Sequence, residues 1–348
     1  MTASGIELAR SYFRDVVGPL LDRRSGLRYA AARLGGGSDV LGLDDAMSRD
    51  HDWGLRLNVL VPTEEVGAVG AYLEESLPAS YAGMPTRFGT TWGAGVRSQV
   101  QVDSMRDFAV SRLGLDPRDG LDPEAWLGLT GQSVLEVTAG EVFHDGAGEL
   151  TAVREALRWY PQDVWRYVLA ADWSRLAEEL PLAGRAGQRG DDTGSRVVMG
   201  RLVRTAMHLR FLLSRRWPPY AKWLGTAYAR LDVADGTGPA LARAMSAATW
   251  PDREEGLVEA LDALLATQRS LGLPTPERAT EPFWDRPFRT VSPDVARLLL
   301  DDVTDPAVRA LPEGIGAVEQ WADSVAVLGP AHRRLAMART VLGGAARP

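Results

Sequence analysis

Hydrophobic and polar positions along the chain follow two periodicities, and the change between them indicates two structural parts. Residues 5–22 carry apolar side chains at helical spacing, and LRYAAARLGG (27–36) then predicts a short strand that leads into a glycine turn. Apolar and polar residues alternate over most of WGLRLNVLVP (53–62) and again in SQVQVDSM (98–105), which is typical of strands. A helical segment follows each of them. The N-terminal part therefore predicts a small domain built of strands and helices.

The second part of the chain has a different pattern. From GELTAVREALRWY (148–160) onward the spacing is almost entirely helical, and no comparable alternating segment follows. The sequence thus predicts an α+β protein, with a small domain of strands and helices over 1–146 and a mainly α-helical domain over 147–348. Within the helical part, GRAGQRGDDTGS (184–195) predicts a long polar loop.

Composition and charge narrow the functional classes. The chain of 348 residues has no cysteine, which excludes disulfides, thiolate metal sites and a thiol nucleophile. Its four histidines are widely spaced, and the net charge of −7 argues against a long nucleic-acid partner. The first residues, MTASGIELARSYF, lack the basic-then-apolar order of a signal peptide, and no apolar run reaches the length of a membrane span. A cytoplasmic protein without a membrane partner is therefore expected.

The stretch GGGSDVLGLDDAMSRDHDWG (35–54) carries the clearest chemistry. Asp50 and Asp52 are two residues apart, so on a strand continuous with the alternating segment both carboxylates share one face with Arg56 and Asn58. Two carboxylates side by side repel each other unless a cation lies between them. Mg²⁺ commonly binds one or two carboxylates together with substrate phosphates, which predicts a Mg²⁺ (or Mn²⁺) site at Asp50 and Asp52.

The glycine turn supplies the complement of this metal site. Gly36, Gly37 and Ser38 can present successive backbone N–H groups to an anion, at a position where the sequence also predicts the start of a helix. A phosphate cradle followed closely by a metal clamp is the arrangement of a nucleoside triphosphate (NTP) site. The pattern therefore predicts that the chain binds an NTP.

These residues also carry a resemblance to a known superfamily. LGGGS (34–38) followed by DHDW (50–53) resembles the signature of the DNA polymerase β-like nucleotidyltransferases, although His51 stands where an apolar residue is usual. The longer string GSDVLGLDDAMSRDHDWG is similar to a bacterial family of that superfamily with a helical C-terminal half. Further similar segments are YPQDVWRYVLAADW (160–173), PPYAKWLG (218–225) and GIGAVEQWADS (314–324). The resemblance spans nearly the whole chain but implies no particular acceptor.

The resemblance implies a compact mixed sheet in which a third carboxylate lies on the strand next to the two aspartates. In SQVQVDSM the valines face the core, so Gln99, Gln101 and Asp103 share the other face, and Asp103 is the candidate third acid and metal ligand. If Gln101 occupies that position instead, the catalytic set lacks an acid. The implied reaction is a two-metal transfer in which an acceptor hydroxyl, deprotonated toward Asp103, attacks the α-phosphorus and pyrophosphate leaves.

Two basic residues of the helical part are further candidates for nucleotide binding. Lys222 is the only lysine among 39 basic residues and follows a rigid Pro-Pro turn. A lysine ammonium is a compact charge that can contact a single phosphate oxygen. Arg204 belongs to a stripe of basic side chains at helical spacing, with Arg201, His208 and Arg215. This stripe either binds a phosphate or forms a solvated flank.

Three functions are weighed against one another. The first is a metal-dependent nucleotidyltransferase that moves a nucleoside monophosphate from an NTP onto a hydroxyl of a small molecule or a protein. The second is a catalytically inactive nucleotide-binding regulatory protein of the same fold, and replacing Asp103 distinguishes the two. The third, an enzyme acting on polynucleotides, is disfavoured by the acidic balance and by the lack of a basic track interleaved with aromatic residues. The sequence names neither the acceptor nor the preferred NTP.

Overall fold

A computed structural model describes residues 4–49, 53–90, 93–231 and 236–343 of the chain. Packing divides the chain into two compact units, one formed by Met1–Gly120 and Gln132–Arg158, the other by Leu121–Gly131 and Trp159–Pro348. The first unit contains most of the strands and the second is almost entirely helical, so the predicted α+β fold is confirmed. The domain boundary predicted near residue 146 stays a prediction, because compact packing units are not by themselves domains.

The described residues form ten strands and a larger number of α-helices. The strands are β1 (Ala30–Ala32), β2 (Leu57–Leu60), β3 (Ser80–Tyr81), β4 (Met84–Pro85), β5 (Arg87–Thr90), β6 (Gly93–Ser98), β7 (Val100–Asp103), β8 (Val142–Asp145), β9 (Thr280–Pro282) and β10 (Arg289–Val291). The helices up to the start of the second half are α1 (Gly5–Tyr12), α2 (Gly18–Asp22), α3 (Val66–Ser76), α4 (Met105–Leu113), α5 (Pro123–Leu127), α6 (Gly131–Thr138) and α7 (Glu149–Ala156). The later helices are α8 (Gln162–Gln188), α9 (Asp192–Leu213), α10 (Ala221–Ala229), α11 (Thr237–Ser246), α12 (Trp250–Ser270), α13 (Pro293–Asp301), α14 (Pro306–Arg309), α15 (Val318–Trp321), α16 (Val325–Leu328) and α17 (Ala331–Gly343).

The first unit is organised around a four-stranded sheet of order β7-β2-β1-β8. Strand β1 runs antiparallel to both β2 and β8, whereas β2 and β7 are parallel, so the sheet is mixed. In the parallel pair Leu57 lies opposite Val100 and Leu60 lies opposite Asp103. The two segments that alternate most clearly in the sequence are therefore neighbouring strands, as the resemblance implies.

One apolar core joins this sheet to the helices of the first unit. Leu8 and Tyr12 of α1 and Leu73 of α3 are buried in the same cluster as Val59 of β2 and Val100 of β7. The α1 helix begins with a reciprocal cap, because the side chain of its N-terminal flanking serine accepts the N–H of the N3 glutamate while that glutamate accepts the serine N–H. The helical prediction for 5–22 holds, with one π-helical turn at Phe13–Val17 between α1 and α2.

Strand β2 is buried along both of its faces. Alternation in the sequence places Asn58 on the face opposite Leu57, and Asn58 is only 4% exposed, while its neighbours Leu57 and Leu60 are also buried. The side chain of Asn58 hydrogen-bonds within the first unit. A buried amide needs such a partner to offset its loss of water.

Three long helices form the centre of the second unit. Helix α8 packs along α9, and α12 packs against both. Trp165 and Trp173 of α8 are fully buried, and each indole N–H has an acceptor: the Leu212 carbonyl at 2.9 Å and the Gln268 side chain at 2.8 Å. Within the described ranges, none of the helices combines the length and the apolarity that crossing a lipid bilayer requires.

The long polar loop predicted for 184–195 is wrong. Helix α8 continues to Gln188, and α9 begins at Asp192. The glycines of this stretch serve close packing: a Cβ at Gly184 would lie 2.5 Å from Cβ of Phe288, and one at Gly187 would overlap the ring of Trp250. Glycine here allows a helix to approach its neighbours, so its presence does not mark a loop.

Candidate functional site

The glycine turn after β1 is built around a buried arginine. Arg33 is 2% exposed, and its guanidinium binds both carboxylate oxygens of Asp39, at 2.7 Å from Nε and 2.9 Å from Nη2. The same guanidinium donates to the carbonyl of Leu34 (2.5 Å, from Nη1) and to that of Gly36 (3.3 Å, from Nη2). A bidentate pair of this kind fixes the geometry of the groups around it. Sequence reasoning missed both partners, although an arginine within an apolar strand was a visible signal.

Gly37 has no space for a side chain beside this pair. Its φ is +150°, and a Cβ built there would overlap Oδ1 of Asp39 and lie 2.7 Å from Nη2 of Arg33. Gly36 is different, since its φ is ordinary and nothing lies within 4 Å of its Cβ position. The ion pair therefore requires glycine at position 37 and places no such demand on position 36.

The turn leaves three backbone donors without an acceptor. Gly36, Gly37 and Ser38 are partly exposed, and in the described part of the chain their N–H groups donate no hydrogen bond. Successive N–H groups in a glycine-rich turn are well suited to phosphate oxygens. The predicted helix start at this position is wrong, because residues 38–42 form turns and the carboxylate of Asp39 binds Arg33 instead of capping a helix. No helix dipole adds to the three donors.

The turn is tied to the rest of the first unit on both sides. Oδ1 of Asn58, on β2, accepts the N–H of Leu34 at 2.9 Å. The N–H of Gly35 donates to the carbonyl of Glu136, on α6, at 2.7 Å. These bonds hold the residues that precede the three free donors, and the Arg33 guanidinium holds the carbonyls between them. The donors thus sit on a preorganised support.

A concavity of about 360 Å³ opens next to the turn, where β2 and β7 begin. Its described lining comes from the residues that follow β1, the start of β2, the end of β6, most of β7 and α4. The polar residues of this lining are four arginines, three side-chain amides and one serine: Arg33, Arg56, Arg97, Arg112, Asn58, Gln99, Gln101 and Ser98. None of the described lining residues is acidic. The charge of the lining favours an anionic ligand.

The arginines of the lining differ in how they are paired. Arg112 lies 3.3 Å from a carboxylate oxygen of Glu136, and its guanidinium also lies 5.6 Å from the ring centroid of Phe108. Arg97 is exposed and pairs with no carboxylate among the residues that the structure describes. The charge of Arg97 is therefore available to a ligand.

Asp50 and Asp52, the predicted metal ligands, lie outside the described residues. The residues on either side of this pair are in contact, since the guanidinium of Arg49 lies 4.5 Å from the ring centroid of Trp53. The indole N–H of Trp53 in turn points to Oδ2 of Asp44 at 3.4 Å. The predicted roles of the two aspartates stay predictions.

The strand that the sequence extends back to the aspartates begins later than predicted. Strand β2 starts at Leu57, and residues 53–56 are not part of it. The chain bends at Gly54, whose φ is +147° and whose carbonyl accepts the N–H of Arg56 at 2.9 Å. A Cβ at Gly54 would lie 3.0 Å from the ring of Phe88, which leaves room for little besides glycine. The prediction of one continuous strand is therefore wrong over 53–56.

Asp103 and Gln101, the alternatives for the third acid, lie at different levels of β7. Asp103 ends the strand opposite Leu60 and is not part of the lining, whereas Gln101 is in register with Asn58 and belongs to the lining. Burial raises the pKa of Asp103, and a hydrogen bond from Gln101 and the charge of Arg112 act against that rise. The structure thus brings Gln101 into the lining of the concavity and places Asp103 next to two lining residues but outside the lining. The catalytic role of Asp103 stays a prediction.

The described residues do not form a metal site by themselves. They contain no group of three or more His, Asp or Glu side chains placed to hold a metal ion. The described lining of the concavity offers guanidinium and amide groups, which are not ligands that Mg²⁺ or Mn²⁺ prefers as a full set. A metal at this site would depend on Asp50 and Asp52.

Arg204 lies on α9 in the second unit and is exposed. The basic stripe predicted around it is wrong as a continuous face, because its members have different surroundings. Arg201 binds Glu179 of α8 at 2.7 Å, His208 is largely buried, and Arg215 lies beyond the end of the helix. A role of Arg204 in nucleotide binding stays a prediction.

Lys222 lies in the first turn of α10, also in the second unit, and is exposed. Its ammonium group lies 4.8 Å from the ring centroid of Trp223, a cation–π contact. The predicted contact of Lys222 with a triphosphate stays a prediction.

A buried charge network lies inside the second unit and was not predicted. Nδ1 of His208 bonds to Oδ2 of Asp172 at 2.6 Å, and its Nε2 lies 3.7 Å from Glu319. Gln320 donates to the other oxygen of Asp172, and Glu319 accepts the N–H of Gly131 at 2.9 Å. Although burial opposes protonation, the two carboxylates raise the pKa of His208 to about 10. The imidazolium therefore places one positive charge between the two carboxylates.

Comparisons with known proteins cover the two units unequally. Residues 126–224 match the model of a domain of unknown function, DUF4037. No curated protein matches the chain. Among solved structures, a nucleotidyltransferase-like protein from Exiguobacterium sibiricum 255-15 is similar at 14% sequence identity. That match covers 79% of this chain and 82% of the other, with a TM-score of 0.35.

Proposed function

We propose that the protein is a nucleotidyltransferase that moves a nucleoside monophosphate from an NTP to a hydroxyl acceptor, either a small molecule or a protein. The observation that carries the proposal is the glycine turn. A buried Arg33–Asp39 pair supports it, while the N–H groups of Gly36, Gly37 and Ser38 donate to no described acceptor. These donors fit the β- and γ-phosphates of an NTP.

The concavity beside the turn supports the same proposal. Arg56 belongs to its lining, and Nη1 of Arg56 lies 3.5 Å from the carbonyl of Gly36, so the cations and the turn form one site. Guanidinium groups in a partly enclosed site stabilise the charge that shifts between phosphate oxygens during transfer. Arg97, which pairs with no described carboxylate, is available to such a phosphate.

The proposed reaction is a substitution at the α-phosphorus. The acceptor oxygen forms a bond to this phosphorus, the bond from phosphorus to the oxygen bridging to the β-phosphate breaks, and pyrophosphate leaves. The proton of the acceptor hydroxyl passes to a base, for which Asp103 is the candidate. Its raised pKa makes its carboxylate a better proton acceptor than an exposed aspartate. The turn amides hold the leaving pyrophosphate.

Asp50 and Asp52 are proposed to hold Mg²⁺ (or Mn²⁺). When bound, such an ion neutralises phosphate charge and orients the triphosphate for in-line attack. The aspartates come directly before the segment that lines the concavity, which places them in sequence beside the phosphate-binding groups. Lys222 and Arg204 are proposed as additional phosphate contacts.

A second function has one specific observation in its favour. The residue in register with Asn58 inside the concavity is Gln101, which has no charge and does not act as a base. If no acid completes the set, the protein binds an NTP without turning it over and acts as a regulatory nucleotide-binding protein. Asp103→Asn distinguishes the two functions, since it abolishes turnover in the first and changes nothing in the second.

The proposal is tested by pyrophosphate release with each of four NTPs, Mg²⁺ or Mn²⁺, and a panel of hydroxyl acceptors. Intact-mass measurement of protein acceptors in the same reactions detects transfer to a polypeptide. We expect release that depends on the metal, on one NTP and on an acceptor. NTP binding without release supports the second function, and the absence of NTP binding contradicts both.

A further inference from the structure

We propose that the concavity beside the glycine turn binds a phosphate group on the acceptor, so that the acceptor is a phosphomonoester and not a neutral alcohol. The inference rests on the proposed nucleotidyltransferase function and names the substrate class of that site. It follows from the hydrogen-bonding state of one buried amide and from the charge of the described lining.

The buried amide is that of Asn58. Its orientation is fixed, because the atom that faces the N–H of Leu34 must be the acceptor Oδ1. The two N–H bonds of Nδ2 therefore lie on the other side of the group, and within the described residues they have no acceptor. Asn58 is 4% exposed and lines the concavity. A donor that lines a concavity and has no described protein acceptor is available to a ligand atom.

The charge of the lining is the second observation. The turn already supplies three N–H donors for the β- and γ-phosphates of the NTP. The guanidinium of Arg97 is a further cationic donor, which can bind a second anionic group. Arg97 has no described carboxylate partner, and no described residue of the lining is acidic. A neutral acceptor alcohol would give neither this guanidinium nor the Asn58 amide a charged partner. An anionic group on the acceptor gives one to both.

The directions of the donors favour a phosphate over a carboxylate. Arg97 comes from the end of β6 and Asn58 from β2, so the two donors approach from different strands. A planar carboxylate is satisfied by one fork of donors, whereas the three outer oxygens of a phosphomonoester accept from several directions. The volume of about 360 Å³ lies in the range of small-molecule sites and leaves space for the organic part of the acceptor.

The test measures acceptor binding while the NTP site is filled. The full-length protein is saturated with Mg²⁺ and α,β-methylene-ATP, and glycerol 3-phosphate is titrated by calorimetry, with glycerol and glycerate as probes that lack the phosphate. We expect glycerol 3-phosphate to bind and the other two to bind at least tenfold more weakly. Arg97→Gln removes an exposed charge and should weaken glycerol 3-phosphate about tenfold. Arg28→Gln removes an exposed charge of the same unit outside the lining, and should change nothing.

Asn58→Asp tests the N–H donors of the amide independently of its acceptor oxygen. An aspartate still accepts the N–H of Leu34 and so keeps the turn, but it replaces the free N–H donors with negative charge. We expect this variant to lose more than tenfold in affinity for glycerol 3-phosphate and to lose less in affinity for α,β-methylene-ATP. If the variant does not fold, Arg97→Gln alone decides, because Arg97 is exposed.

Two results overturn the inference while leaving the proposed function intact. If Arg97→Gln weakens α,β-methylene-ATP and leaves glycerol 3-phosphate unchanged, the concavity belongs to the triphosphate. If the wild type binds the NTP analogue but binds glycerol or glycerate as well as glycerol 3-phosphate, or binds none of the three, the acceptor is not recognised through a phosphate here. A wild-type protein that does not bind the NTP analogue contradicts the proposed function itself.

Discussion

Replacing Gly37 by alanine tests how the phosphate cradle is supported. The added Cβ would overlap Oδ1 of Asp39 and lie 2.7 Å from Nη2 of Arg33, whereas ordinary contact begins at 3.4 Å. The guanidinium nitrogen would have to retreat by about 0.7 Å, and the carboxylate by more. Both groups are buried and bind each other, so neither can move without breaking the pair. The substitution therefore disturbs the support and leaves the N–H donors chemically unchanged.

The magnitude follows from two terms. A non-glycine residue held in a sparsely populated region of backbone space costs about 1–3 kcal/mol. Disrupting a buried ion pair so that its charges are no longer matched costs about 3–5 kcal/mol. Breaking the pair removes the overlap and lets the backbone leave the strained region, so the second value applies, and we expect Gly37→Ala to lower the free energy of unfolding by about 3–5 kcal/mol. The matched control is Gly36→Ala, where φ is ordinary and the Cβ position is open, so the change should stay within about 0.5 kcal/mol.

The assay combines urea unfolding with calorimetric titration of an NTP. Gly37→Ala should shift the unfolding midpoint strongly and weaken NTP binding, while Gly36→Ala should leave the midpoint near that of the wild type. Equal midpoints for the two variants would refute the reasoning, since the ion pair would then not depend on glycine at position 37. A folded Gly37→Ala variant with an unchanged NTP Kd would show that the turn is an ordinary connection.

Three further predictions follow from the described residues. Because two carboxylates raise the pKa of His208 from 6.5 to about 10, its contribution to stability is complete below pH 6.5 and is lost as the pH rises through about 10. Calorimetric Tm should fall over this range in the wild type and not in His208→Gln, and parallel curves would contradict the prediction. Lys222→Arg should lower kcat/KM about tenfold, equal to about 1.4 kcal/mol, and bound Mg-NTP should protect Lys222 from an amine-selective reagent. Full activity of the variant, together with equal labelling of Lys222 with and without Mg-NTP, would show that Lys222 does not contact the nucleotide. Asp103→Asn should lower the rate of pyrophosphate release by at least about 100-fold at unchanged NTP Kd. An undiminished rate would show that Asp103 is not a catalytic residue.

Strand positions were predictable because they depend on local alternation. The segments that form β2 and β7 alternate in the sequence, and the structure pairs Leu57 with Val100 in a parallel register. What alternation could not predict is that β2 is buried on both faces, because that depends on elements distant in the chain. Asn58 follows the polar half of the pattern and yet is buried, where it binds the N–H of Leu34.

The role of each glycine was the least predictable feature. The sequence predicts a turn at the glycines after β1, and the structure has one there. The sequence alone does not reveal that a buried ion pair requires glycine at position 37. The same residue type misled the prediction for 184–195, where Gly184 and Gly187 allow close packing of a continuous helix. In both places the reason is tertiary: glycine is needed because another side chain occupies the space that a Cβ would take.

The central claim is that the glycine turn and the aspartates after it form one NTP site that turns over. The most direct measurement is metal-dependent pyrophosphate release by the wild type, Asp50→Asn, Asp52→Asn and Asp119→Asn, the last a control at an exposed aspartate of the same unit. We predict that the first two variants lose release while staying folded, because removing one of two neighbouring carboxylates relieves repulsion, and that the control keeps it. Wild-type release in both Asp50→Asn and Asp52→Asn would contradict the claim.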